Sequence, residues 1–468
     1  MTDDNESTLH RLTTGGFARR LELSRLGLRY GSRAVGQSLR ERFSHDEAAA
    51  LARRRENIRF FIEELGRLKG SVVKIGQLMA TYGDYLLPPE VAEALHSLED
   101  NTPPMSWAAI RGALQKELDS YRLAELDIDR QPLAAASLGQ VHRARVEVSG
   151  EELCVKVQYP GVDRTIDADF QAVMALMRIS RLLESTRNID DWFGDIRQLL
   201  HKEVDYQQER RDLDFVAGKL CEDSRYIVPR SSARYSTMRV LAMSYEPSLA
   251  VAAPEVLALS QARRNALGEA VLHLFLLELF SWQRMQTDPN FGNYRVRIDP
   301  RGRRDQLVLL DFGAMRLLPS QFAGQFCEMM VAAYRQDREA FLRCSIDLGF
   351  MKAHFPEEVL ESFVDIGLDI AEPLRKPSQQ LPAEALSADG LRYDWRNSNL
   401  PKRVAKKAVA ASMSKYFALP PKDFLYVMRK LMGVYALIAH FGAVFDGEAV
   451  FAPFVDSWAS DKDTDIQR

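Results

Sequence analysis

Two short stretches near the middle of the chain limit most strongly what it can fold into. Met285-Gln286-Thr287-Asp288-Pro289-Asn290-Phe291-Gly292-Asn293 places an acid and an amide, Asp288 and Asn293, five residues apart. Eighteen residues after Asn293, Asp311 closes the apolar run Leu307-Val308-Leu309-Leu310 and is followed by Phe312-Gly313. The run predicts a short buried strand with a carboxylate at its end. An amide and a carboxylate are hard oxygen donors of the kind Mg²⁺ takes, and a second carboxylate beside them suits the activation of an attacking oxygen. By itself, Asp-Phe-Gly is equally a turn after a strand, so partners elsewhere in the chain must decide.

The order of these stretches resembles the catalytic loop and the metal-binding loop of a protein-kinase-like fold. At 468 residues the chain exceeds one compact core, and two or three domains are expected. With 46% hydrophobic and 27% charged residues it is an ordinary globular protein, and its net charge of −3 gives no reason to expect a nucleic-acid partner. Cys154, Cys221, Cys327 and Cys344 are far apart in the sequence, and the histidines form no ligand spacing. A reducing compartment and no zinc site are therefore expected. The acidic, polar start Met1–Glu6 predicts no signal peptide. The most apolar stretch, Leu431–Ala439, is interrupted by His440 and reads as a buried helix of a soluble domain.

Residues 10–42 carry eight arginines against Glu22 and Glu41, with Phe17, Leu21, Leu26 and Tyr30 interleaved. This pattern suits either a basic amphipathic helix on an anionic membrane or a solvated helix packed on the main body. Residues 55–100 are strongly helical in period, with Phe61, Leu65, Leu68, Val72, Ile75 and Met79 at three- and four-residue spacing. Lys74 and Gln77 share one face of that helix. A lysine among so many apolar residues either snorkels to water or is buried against carboxylates from elsewhere.

Ala134-Ala135-Ala136-Ser137 occupies the place of a glycine-rich phosphate loop. Small residues let backbone N–H groups approach an anion, although alanine is stiffer than glycine; the other reading is a hairpin lead-in. Lys156 lies within the apolar strand Leu153–Gln158, either pointing inward to a carboxylate or facing solvent from an edge. Glu203, Asp205 and Glu209 cluster on a later helix; Glu209 is the candidate partner of Lys156, and Glu203 and Asp205 are those of Lys74. Strands at 226–228 and 238–243 then lead through Met243 into Ser244-Tyr245-Glu246-Pro247, where a hinge would hold an adenine ring.

Taken together, the chain resembles the UbiB/AarF family of atypical kinase-like proteins over residues 55–445. The resemblance rests on Lys74-x-Gly76-Gln77, Ala134–Ser137, Lys156, Glu203-x-Asp205 with Glu209, Gln286–Asn293 and Asp311–Gly313. It implies an α+β, mostly α, bilobal kinase-like fold with an extra N-terminal helical subdomain. The segments expected are a basic extension over 1–50, the helical subdomain over 51–110 and an N-lobe with helical insert over 111–246. A helical C-lobe over 247–455 and a charged tail over 456–468 complete the chain.

The resemblance further implies ATP and Mg²⁺ as cofactors. Asp288 is the expected catalytic residue, and Asn293 and Asp311 the expected metal ligands. Ala134, Ala135, Ala136, Ser137, Lys156, Glu209, Met243 and Tyr245 are expected at the nucleotide, and Lys74, Gln77, Glu203 and Asp205 as a regulatory set. The implied role is ATP hydrolysis or phosphoryl transfer in support of ubiquinone biosynthesis, peripherally on the cytoplasmic face of a bacterial inner membrane. Quinone precursors and a quinone-biosynthesis complex are the implied partners. The alternatives are a nucleotide-binding scaffold without turnover and a protein kinase acting in trans. The latter is disfavoured because no activation-loop segment follows Gly313.

Overall fold

The structure is a computed structural model and describes residues 58, 72, 74–76, 78–79, 104–136, 138–179, 189–376, 381–412 and 421–466. The basic segment 10–42, Gln77 and Ser137 lie outside these residues. The chain divides into two compact units, Met1–Arg211 with Arg230–Tyr245, and Asp212–Pro229 with Glu246–Arg468.

The first unit is built on an antiparallel sheet. Its strands are β1 (Leu126–Ile128), β2 (Ala134–Ala135), β3 (Gly139–Val146), β4 (Glu152–Gln158) and β6 (Val240–Ser244). The order is β1-β3-β4-β6, with β2 also on β3. The helix α1 (Trp107–Glu117) lays Ile110 and Leu114 on one face of this sheet, against Leu153, Val155, Val157, Val240 and Ala242. Side chains alternate across a strand, so placing Leu153, Val155 and Val157 in this core turns Lys156 to the opposite face. Because β4 lies between β3 and β6, Lys156 is not on a sheet edge. The helices α2 (Val162–Ile179), α3 (Ile189–Glu203) and α4 (Tyr206–Leu220) follow, and the boundary between the units falls within α4, after Arg211.

The second unit is mainly helical. Its sheet runs β5 (Tyr226–Ile227), β10 (Gln306–Leu309), β9 (Tyr294–Arg297) and β7 (Leu249–Ala250), with β5 parallel to β10. Tyr226–Ile227 thus belongs to a different sheet from Val240–Ser244, although the two strands are near neighbours in sequence. The helix α5 (Gln261–Leu276) is apolar on most sides and has nine buried residues. It therefore runs through the centre of its unit, as such a helix must.

The helix α6 (Lys422–Phe441) is long and apolar enough to cross a membrane, with half of that apolar window buried in the structure. Its Ile438 side chain and Ala443, just beyond its end, crowd Gly268 of α5 so closely that an added Cβ would lie 2.8 Å from Ala443. Glycine is what permits this approach.

Candidate active site

The residues singled out in the sequence fall into two sets, one in each unit. In the first unit, Lys156 Nζ donates to both carboxylate oxygens of Glu209, at 2.7 and 2.9 Å. Glu209 is 2% exposed, so its charge requires this partner. The Tyr206 ring lies 5.0 Å from the same ammonium, within range of a cation–π contact. Gly139, at the start of β3, is crowded by Val157 and Tyr206: a Cβ there would lie 2.6 Å from the Val157 carbonyl oxygen and 2.8 Å from the Tyr206 hydroxyl.

Lys74 pairs with Glu203 at 2.9 Å, so of the two readings of this lysine the carboxylate partner is observed. Val72, Ile75 and Met79 are fully buried beside it. Asp205 accepts from the Gln208 N–H at 2.9 Å, capping α4.

Ala134 and Ala135 are paired with Val141 and Gln140, and the Ala136 N–H donates to the Gly139 carbonyl at 2.8 Å. The alanine stretch is therefore a tight hairpin, and the Ala136 amide is used within it. Met243 is buried in β6 opposite Cys154. Within the expected hinge Ser244–Pro247, the Tyr245 N–H donates to the Glu152 carbonyl at 2.9 Å.

In the second unit, two strand pairs set two loops side by side. β8 (Arg284–Gln286) pairs with β11 (Met315–Leu317), and β9 pairs with β10. The loop 287–293 joins β8 to β9, and the loop 310–314 joins β10 to β11. Cross-links tie them together. The Thr287 N–H and hydroxyl both donate to the Ala314 carbonyl, at 3.1 and 2.9 Å, and the Leu310 N–H donates to the Asn293 carbonyl at 3.1 Å.

Gln286 joins the backbones of the two aspartates. Its Nε2 donates to the Asp311 carbonyl at 2.9 Å, while its Oε1 accepts from the Asp288 N–H at 2.9 Å. Asn293 Nδ2 donates to the Asp288 carbonyl at 3.1 Å and to Asp288 Oδ2 at 3.2 Å, which leaves the amide oxygen as a hard donor. Asp311 Oδ1 accepts from the Gly313 N–H at 2.8 Å. Asn293 and Asp311 line one cavity together with Glu278, Gln286, Tyr294 and Phe312. Two oxygen donors in one cavity suit Mg²⁺, which keeps several waters and binds phosphates through one or two protein ligands.

Several residues here were not identified from sequence. Arg429 Nη2, on α6, donates to Asp288 Oδ1 at 3.1 Å. Next to it, Lys430 is 1% exposed and pairs with Glu278 at 3.0 Å. Glu278 sits in a π-helical turn, Leu277–Ser281, that extends α5. Burial raises the Glu278 carboxyl above its usual range, while Lys430 offsets part of that rise. Burial alone would lower the Lys430 ammonium, but Glu278 and Tyr294 outweigh it and raise it. The available sequence signal was two adjacent cations in the middle of an apolar helix.

The chain matches the family model of the ABC1 atypical kinase-like domain over residues 97–345. It is 28% identical over 429 residues to the atypical kinase COQ8, mitochondrial, of Schizosaccharomyces pombe, covering 91% of this chain and 67% of the relative. To the protein of the same name from Saccharomyces cerevisiae it is 28% identical over 389 residues, 83% of this chain and 74% of the relative. Among solved structures it resembles the Rv3197–erythromycin complex from Mycobacterium tuberculosis. The TM-score there is 0.57 and the identity 21%, covering 87% of this chain and 97% of the other, a likeness of fold.

Proposed function

The chain belongs to the ABC1 atypical kinase-like family, and from that membership we propose a Mg²⁺-dependent ATPase or small-molecule kinase that supports quinone biosynthesis at a membrane. The observation that carries this reading is the bridge made by Gln286 between the Asp288 N–H and the Asp311 carbonyl, with Asn293 beside them. It ties the backbone of the loop carrying Asp288 and Asn293 to that of the loop carrying Asp311, which supports one carboxylate for the nucleophile beside two oxygen donors for a cation. Lys156, oriented by Glu209, is assigned to the nucleotide phosphates, with the Ala134–Gly139 hairpin alongside. Mg²⁺ would be held by Asn293 and Asp311 and would neutralise phosphate charge. Asp288 would orient the attacking oxygen, with Arg429 holding its carboxylate. Such catalysis is largely positioning and charge stabilisation.

A small acceptor or water is favoured over a protein acceptor. Gly313 is followed by the short strand Met315–Leu317 and then by a helix from Ser320, which leaves no long segment to dock a peptide. The Lys74–Glu203 pair is assigned a regulatory role. Peripheral attachment to the cytoplasmic face of a bacterial inner membrane, next to quinone-biosynthesis enzymes, is part of this proposal.

The test is ATP hydrolysis by the full chain with and without Mg²⁺, and with and without anionic liposomes carrying a phenolic quinone precursor. An Asp311→Asn variant is run alongside. Turnover that needs Mg²⁺, rises with liposomes and disappears in the variant supports the proposal. Nucleotide binding without turnover under every condition overturns it in favour of a scaffold.

A further inference from the structure

The loop 287–293 carries Asp288 and Asn293, and its two ends are Gln286 and Tyr294. Both ends are held by one buried ion pair. Glu278 Oε1 accepts from the Gln286 N–H at 3.2 Å. Its other oxygen, Oε2, lies 3.0 Å from Lys430 Nζ. Lys430 Nζ also donates to the Tyr294 hydroxyl at 3.0 Å. The sequence Gln286, Glu278, Lys430, Tyr294 therefore closes a ring beneath the loop. None of the four side chains is more than 6% exposed.

We propose that Glu278 and Lys430 are positioning residues that set the spacing between the two ends of the catalytic loop, and so the placement of Asn293 relative to Asp311. This rests on the metal-dependent reading given above. The energetics support a positioning role over a purely stabilising one. A buried ion pair adds little net stability, because the cost of desolvating two charges offsets their attraction. What the pair does supply is direction, since each charge bonds one defined loop end. The π-helical turn places Glu278 in register with Gln286, and turns of this kind occur often at functional sites. Glu278 also lines the same cavity as Asn293 and Asp311. The groups facing the pair are Tyr294 on β9 and Tyr226 on β5, and Asp311 of the loop 310–314 lines the same cavity as Glu278.

The experiment is hydrogen–deuterium exchange on the ligand-free full chain, comparing wild type with a Glu278→Met/Lys430→Met double variant, which removes the bonds to both loop ends. This variant neutralises both charges at similar volume, so no charge is left buried and unpaired. Exchange in peptides spanning 284–296 is expected to quicken about tenfold, while Gln261–Leu276 and Gln306–Leu309 keep their protection. In parallel, the Mg²⁺ concentration for half-maximal ATP turnover should rise severalfold with the ATP KM within about twofold of wild type.

Unchanged exchange over 284–296, or a loss spread evenly through residues 246–466, overturns the proposal. If the double variant fails to fold, Tyr294→Phe takes its place, because it removes only the bond from Lys430. It should quicken exchange over 290–296 and leave 284–286 protected, and no change there overturns the proposal equally. Absence of turnover in the wild type would sink the ATPase reading, whereas the exchange result judges the clamp separately.

Discussion

Lys156 and Glu209 are 53 residues apart in sequence, yet the lysine ammonium contacts both oxygens of the carboxylate. Glu209 is almost fully buried and Lys156 about one-fifth exposed, so the lysine keeps access to a ligand while the glutamate holds it in place. Replacing Glu209 with Gln keeps the shape and removes the charge. Nucleotide affinity is expected to fall about tenfold, roughly 1.4 kcal/mol, because Lys156 loses its orientation. Titration calorimetry of the variant with ATP measures this. Unchanged affinity would show that Lys156 does not contact phosphate.

Asp288 separates chemistry from binding. Its two carboxylate oxygens are engaged by Arg429 and Asn293, and its N–H by Gln286. An Asp288→Asn variant should keep the loop in place and lose the carboxylate that orients the nucleophile. Turnover is expected to fall about 10²- to 10⁴-fold while the nucleotide Kd is unchanged. Steady-state kinetics together with a binding isotherm decide the matter. Full turnover in the variant would remove Asp288 from the reaction.

Gly433 of α6 packs against the catalytic loop through Pro289. A Cβ added at Gly433 would lie 2.1 Å from Pro289 Cβ, a distance that no ring can accommodate without moving. Two effects compete in Gly433→Ala. Alanine is favoured over glycine within a helix by about 0.5–1 kcal/mol, and overpacking costs about 1–3 kcal/mol. The clash should win, lowering both the melting temperature and turnover. Gly112, also within a helix, has nothing within 4 Å of its added Cβ. Gly112→Ala should therefore raise the melting temperature. Opposite signs for the two variants in one thermal melt are the expected result.

What could be read from the sequence follows from where each residue violates ordinary burial rules. Lys156 inside an apolar strand needed a carboxylate if it pointed inward, Glu209 was the candidate, and the two meet. Lys74 among apolar residues could have snorkelled to water or met a carboxylate, and Glu203 is there. Asp288, Asn293 and Asp311 could be singled out because they lie in two short stretches of sequence, and these form the adjoining loops 287–293 and 310–314. Arg429 was not singled out, because it reaches Asp288 from 141 residues away on a helix whose apolar pattern conceals its function. The alanine stretch was ambiguous because small residues suit a phosphate loop and a hairpin lead-in equally, and the hairpin that forms is compatible with both. The pairing of Tyr226–Ile227 with Leu307–Val308 was also hidden, since a two-residue strand carries almost no periodic signal of its own.

His273, on α5, makes the stability of the second unit depend on pH. Its Nε2 lies 3.1 Å from Arg225 Nη2, which can only donate, so Nε2 accepts. The Tyr226 hydroxyl gives its proton to the Ala270 carbonyl at 2.8 Å, so His273 Nδ1 donates to the phenol oxygen at 3.1 Å. The folded ring is therefore neutral, and a second proton on Nε2 would face the Arg225 guanidinium. Burial, reinforced by Arg225, holds this imidazole down at about 4, against an ordinary value of 6.5. Because the folded value is depressed, the unfolded chain takes up a proton first as pH falls. The contribution is fully present above about 6.5 and is lost progressively as pH drops towards 4. Thermal melts from pH 7.5 to 4.5 should show a falling melting temperature across that window. A His273→Gln variant, which keeps a donor and an acceptor but cannot titrate there, should show a shallower fall. Identical slopes for the two proteins would assign the acid sensitivity to other groups.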